Sequence, residues 1–270
     1  MFGKLCKLES RYLIRFFGPM WALVLVLSVI NRYTFWAMEE ETGSGLVGGL
    51  MMFALVMAAS AMCVVALVAV IQRFYNGLLK DEGYLMFTLP VKSGALINAK
   101  GLMATIFTVI TGIVGMLIFV IIGSKLVTWN EMVDAIREMF RFTSEIGISG
   151  LDWTMMILWG IIAVVVATAS SLYHIYASIA LGHLARKHRV GWSVVAYLGI
   201  NFALSSIMGV LGNTRVLNHL VRWLDDITSA ADGVRVVILM ELGYIALAAV
   251  LIAVFFFITR QILEKRLNLE

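Results

Sequence analysis

The fold class expected from the sequence is an all-α polytopic membrane protein with six transmembrane helices, and three observations point to it. Of the 270 residues, 61% are hydrophobic and only 14% charged, where a soluble domain carries roughly 25% charge. Mean hydropathy is +0.94. Six apolar runs, at 16–38, 46–71, 101–123, 153–181, 192–211 and 236–258, each approach the ~20 residues that a helical bilayer crossing needs. Lipid is then the solvent for most of the surface, and residues 1–270 read as one transmembrane domain.

Residues 1–17 place Lys4, Lys7, Arg11 and Arg15 on one side of a helix. Phe2, Leu5, Leu8 or Tyr12, Leu13 and Phe16 fall on the other. This is the pattern of an amphipathic elbow helix lying in the membrane interface, its basic face toward lipid headgroups, and not of a secretory signal. The first span is the weakest of the six, because Asn31 and Arg32 interrupt it before Tyr33, Phe35 and Trp36 resume. Aromatic residues suit the interface, and an even number of spans closes the topology.

Lys and Arg set the orientation. Fourteen of the 21 fall in the amino terminus, in 72–100, in 183–191 and in the tail from 259, which places these segments and both termini in the cytoplasm. Six fall on the opposite side, and Arg32 lies inside the first span. Eleven of the 17 acids lie outside, in agreement.

The segment 72–100 is tied at both ends to apolar runs, yet it keeps Tyr84, Leu85, Met86, Phe87 and Leu89 together behind Asp81 and Glu82. An apolar cluster on a solvent-facing loop calls for a protein to cover it, and a cytosolic motor is the expected partner. Asp81 and Glu82 suit the first turn of a short helix through the backbone dipole, and Pro90 disfavours helix at Leu89. Ser93 is placed to cap the next helix, which runs through Lys100 into the third span. The expectation is a short helix over about 80–88, crosswise under the membrane, which passes a push from a soluble domain to the spans.

On the outer side, 124–152 carries Trp129, Met132, Val133, Ile136, Met139 and Phe140 at helical spacing. The stretch 214–226 behaves similarly, and both read as amphipathic helices resting on the outer surface or on neighbouring spans, more often packing elements than the lining of a substrate exit. Catalysis is poorly supported. There is no phosphate-binding P-loop, no His-Glu-x-x-His and no Gly-x-Ser-x-Gly. His174, His183, His188 and His219 are dispersed, and Cys6 and Cys63 have no metal-ligand spacing. The chain is read as noncatalytic, without cofactor or metal of its own, and its energy source lies on another chain.

Asp81-Glu82-Gly83-Tyr84-Leu85, then Thr88-Leu89-Pro90-Val91, with Lys100 at the head of the next span, resemble permeases of the ABC type-2 transporter family, in particular a branch seen in Gram-positive bacteria. The closing Leu-Glu-Lys-Arg-Leu-Asn-Leu-Glu of 263–270 resembles the tails of the same proteins. The resemblance implies the transmembrane subunit of a bacterial plasma-membrane exporter that dimerises with itself or a similar permease. It also implies two separate ATPase subunits, holding ATP and Mg, seated against a coupling helix. The docking residues would be Asp81, Glu82, Tyr84, Leu85, Phe87 and Leu89. One departure stands: members of the family commonly place re-entrant helices between the fifth and sixth spans. Here that segment holds Arg215, Arg222, Asp225, Asp226 and Asp232, and deep re-entry of Arg222 would be costly unless it is paired. Nothing in the residues chooses a substrate. An ion-coupled secondary transporter and a membrane sensor or scaffold are the alternatives, and the former needs more intramembrane charge than Arg32 and Glu241.

Those two residues lie at one level. At ~1.5 Å per residue both sit about 8–9 Å below the outer ends of the first and sixth spans. They are expected to form an ion pair, within one subunit or across a dimer, as intramembrane charges usually do.

Overall fold

A computed structural model of the protein describes residues 2–39, 45–79, 92–126, 129–185, 187–212 and 229–265. These form seven helices: α1 (Phe2–Glu39), α2 (Gly45–Leu79), α3 (Ser93–Leu126), α4 (Trp129–Glu145), α5 (Gly150–Gly182), α6 (Arg189–Gly212) and α7 (Ala230–Lys265). Six of them, all but α4, are long and apolar enough to cross a membrane. Each expected span falls inside one of these six, and the chain is a multi-pass membrane protein. Helices prevail because a lipid-exposed backbone must satisfy its polar groups within its own segment.

Two sequence expectations change in detail. Residues 1–17 are not set apart as an elbow, since α1 runs without a break from Phe2 through Pro19 to Glu39. Nor is Ser93 the cap of α3. Its hydroxyl donates instead to the Glu264 carboxylate, and the Lys92 carbonyl accepts from the amides of Ala95 and Leu96. Ser93 is already the first residue of the helix, so the cap position falls on Lys92, one residue earlier than the sequence suggested.

The chain divides into two units. The first comprises 1–77 and 98–136, and the second 78–97 and 137–270. Helices α2 and α3 therefore each run from one unit into the other.

In the first unit, α1 turns a stripe of Glu9, Leu13, Phe17, Val24, Ser28 and Asn31 inward. The spacing of three, four and seven keeps one helical face against its neighbours. Val24 packs with Leu55 and Met62 of α2 and with Val114 and Ile118 of α3. Phe107 lies edge-on to Phe17 and stacks on Trp21, whose indole N–H donates to Thr111 at 3.0 Å. Asn31 Nδ2 donates to the carbonyls of both Leu27 and Met51, at 3.0 Å each, and so joins α1 to α2.

In the second unit, α5 packs against α6 and α7. The His174 ring is sandwiched between Tyr197 of α6 and Phe255 of α7, with centroid separations of 4.6 and 4.9 Å. Gly182 ends α5 where a Cβ would overlap the backbone of Ser193, so α6 approaches closer than any side chain allows. Ser149 caps α5 in a reciprocal box with Asp152, and Ser229 accepts from the Asp232 amide at the head of α7. Both are Ser-x-x-Asp starts, a readable helix-entry pattern.

Candidate functional site

The most concentrated polar chemistry among the described residues lies in the first unit, around Glu9. This residue is the one acid on the packed stripe of α1, and its side chain is only 5% exposed. Arg73, from the last part of α2, grips it with two hydrogen bonds, Nε to Oε2 at 2.7 Å and Nη2 to Oε1 at 3.0 Å. Lys100, from α3, donates Nζ to Oε1 at 2.8 Å. The Arg73 guanidinium also stands 4.2 Å over the Tyr12 ring, one turn along α1 from Glu9. Three helices thus converge on one carboxylate.

Local sequence explains why this is possible. Arg73 reaches Glu9 in the planar fork geometry that guanidinium and carboxylate share. Gly77 lies one turn after Arg73, and a Cβ there would come within 2.5 Å of Lys100 Nζ. Glycine at 77 leaves the space the ammonium occupies. Among the described residues one carboxylate stands between these two cations, and taking that shared anion away would leave buried positive charge uncompensated.

The site brackets the segment expected to dock a partner. Arg73 precedes 80–91 and Lys100 follows it. Asp81, Glu82, Tyr84, Leu85, Phe87 and Leu89, and with them the expected 80–88 helix, lie outside the described residues. The flanks that are described, Leu78 and Leu79 before and Leu96 and Ile97 after, are buried in the second unit. There the start of α3 is fastened to the end of α7. Ser93 binds Glu264, Arg260 donates Nε to the same Oε1 at 2.9 Å, and Gly94 faces the Phe256 ring. On either side of 80–91, then, buried or charge-clamped residues hold the chain.

The remaining expected residues sit as follows. Lys4, Lys7, Arg11 and Arg15 are all exposed, as a headgroup-facing set requires. Arg32 is exposed and belongs to the first unit, while half-buried Glu241 belongs to the second. One Glu241 oxygen lies 3.3 Å from where a Cβ of Gly160 would be, and the other is shielded and accepts no hydrogen bond. His183 and Arg189 meet at 3.2 Å in the turn between α5 and α6. Burial first, and the Arg189 charge second, push the His183 imidazole below its ordinary value.

Sequence reasoning missed Glu9, Arg73 and His174 as buried groups. Arg73 was counted in a cytoplasmic loop because hydropathy ends the second apolar run at 71, whereas α2 continues to Leu79. Glu9 carried a signal: it stands four residues before Leu13 and eight before Phe17, on the stripe that packs. No group of three metal-ligating side chains occurs among the described residues. In the Glu9 cluster the side chains are engaged with one another across three helices, an arrangement that suits fastening. The chain matches no family model, no curated protein and no solved structure.

Proposed function

We propose that the chain is the noncatalytic transmembrane subunit of an ATP-driven exporter, of the ABC type-2 permease kind, in a bacterial plasma membrane with both termini cytoplasmic. The observation that carries this reading is the fastening on both sides of 80–91. Glu9, Arg73 and Lys100 tie three helices together beside the segment, and the Ser93–Glu264–Arg260 contacts tie its far end to α7. A load applied to a slack loop dissipates, whereas one applied between fixed points moves the helices.

In this reading Tyr84, Leu85, Phe87 and Leu89 seat a soluble ATPase, with Asp81 and Glu82 at the head of a coupling helix. Closure of two ATPase subunits on ATP and Mg drives two permease copies, or this chain and a similar one, to open an apolar path. Arg32 and Glu241 pair between the first and sixth spans, within one copy or across two. The basic face of α1 holds headgroups on the cytoplasmic side.

The test is a pull-down of the tagged full chain from its native membrane, followed by ATPase assay of the captured complex. Aromatic anchors carry a disproportionate share of interface energy. Replacing Tyr84 and Phe87 together by alanine is therefore expected to cut recovery of the nucleotide-hydrolysing partner at least tenfold while insertion stays normal. Full partner recovery with normal hydrolysis would remove the segment as the docking site. Absence of any such partner from the unsubstituted protein would remove the exporter reading itself.

A further inference from the structure

We infer that α4 is a membrane-surface helix, its apolar face lying in the headgroup and acyl boundary of the leaflet where α3 ends and α5 begins. The inference is independent of the ATPase reading. It starts from the distribution of side chains on α4. Glu131, Asp134, Arg137, Glu138, Arg141 and Glu145 all fall within one face of the helix, and Met132, Val133, Ile136, Met139 and Phe140 fall on the opposite one. Such grouping of the charges on one face, with low overall hydrophobicity, characterises helices that lie in the interface plane rather than cross it; Phe142 is the one large apolar side chain on the charged side.

The described residues leave much of that face open. Ile136 is 44% exposed, Met139 43% and Phe140 45%, while Thr143 among them is buried. A soluble protein would bury such a row or recruit a partner for it. Here the surroundings name the occupant. Only two residues of sequence separate α3 from α4 and four separate α4 from α5, so both ends of α4 are held near the ends of spans. The Phe140 ring meets Trp153 edge-on, with centroids 6.1 Å apart, and Trp153 is in the first turn of span α5. Phe140 is therefore level with the membrane boundary, where indole rings concentrate. Leu151 and Met155 of α5, on either side of Trp153 in sequence, are likewise exposed, at 75% and 49%.

The opposite face carries four carboxylates against two guanidiniums, so the helix presents net negative charge outward. In this it differs from the basic α1, and its attachment rests on apolar burial alone. Zwitterionic lipid accommodates it, and added anionic lipid weakens it.

The experiment is spin-label accessibility on the full chain in phosphatidylcholine vesicles, with Cys6 and Cys63 replaced by serine. Ile136→Cys and Met139→Cys report the apolar face, and Asp134→Cys and Glu138→Cys the polar one. At 136 and 139 the collision rate with oxygen is expected to exceed that with nickel ethylenediamine diacetate several-fold, and the ratio to reverse at 134 and 138. Addition of phosphatidylglycerol is expected to lower the oxygen preference at 139. High nickel access at all four positions would show a helix standing in water and overturn the inference. Low access to both reagents at 136 and 139 would show a protein cover and overturn it equally. Because single cysteines on an exposed face leave the fold intact, the four labels in one background control for one another.

Discussion

Removing the charge of Glu9 while keeping its shape, by Glu9→Gln, isolates what the buried cluster contributes. Arg73 is 8% exposed and Lys100 3%, so neither cation can turn to water when the carboxylate they share becomes an amide. All three short contacts, two from Arg73 at 2.7 and 3.0 Å and one from Lys100 at 2.8 Å, lose their ionic partner, and the amide NH2 can no longer accept from a cation. Breaking a buried charge cluster by taking away one member costs roughly 3–5 kcal/mol, or about two to three and a half powers of ten in the folding equilibrium. At roughly 2–4 °C per kcal/mol for a chain of this size, the melting midpoint should fall by about 6–20 °C. The chain has 7 tryptophans, and intrinsic fluorescence of the purified protein during heating reads the midpoint directly. The informative companion is the triple variant Glu9→Leu, Arg73→Leu, Lys100→Met. Well-packed apolar replacements of a complete buried charge group are often neutral or stabilising, so the triple variant should regain most of the loss. A shift below about 2 °C in Glu9→Gln, or a triple variant no better than the single one, would refute the argument that the shared carboxylate holds these three helices together.

Other outcomes follow from other parts of the molecule. Gly182→Ala should abolish stable folding, because its methyl would meet the Ser193 backbone as well as its hydroxyl; Ser193→Gly, which removes only the hydroxymethyl, should not rescue it, as measured by monodisperse yield in detergent. The lowered His183 value favours the neutral ring in the folded state. Stability from this residue is complete above the unfolded value near 6.5 and is lost as pH falls from there through the folded value. Melting midpoints taken between pH 7.5 and 5.5 should therefore drop more for the native chain than for His183→Gln, and parallel curves would count against the idea. For the proposed Arg32–Glu241 pair, Arg32→Glu and Glu241→Arg should each impair stability and the double swap should recover much of it. Additive damage would leave two independent residues.

Hydropathy located all six long helices, because lipid imposes a single requirement, about 20 apolar residues, that a local window can see. It stopped short at the end of α2, which runs past its apolar stretch through Arg73 to Leu79, whereas the helix expected from Ser93 through Lys100 into the third span is present as the start of α3. Glu9 illustrates the reason. Next to Lys7 and Arg11 it reads as part of a solvated charged surface, and its true partners are 64 and 91 residues away. Ser93 shows the same limit: a local rule assigns it to its own helix, and a carboxylate 171 residues on takes it instead. The amphipathic α4 was legible because its signal is wholly local. The segment 80–91, which carries the family resemblance, contributes to the argument through its sequence and its anchored flanks.

The Glu9 cluster also bears on how the chain is made. Its members lie on the first, second and third helices in order of synthesis, and the last of them, Lys100, emerges only after the first two spans are complete. Until then Glu9 and Arg73 can satisfy each other, and Gly77 keeps open the space that the Lys100 ammonium will take. We expect the nascent chain to dwell as a loose helical hairpin and to lock when the third helix arrives. That makes arrival of Lys100 a checkpoint in biogenesis, and a membrane protease should discriminate the intermediates: chains ending at 92 are degraded quickly, and chains ending at 126 persist.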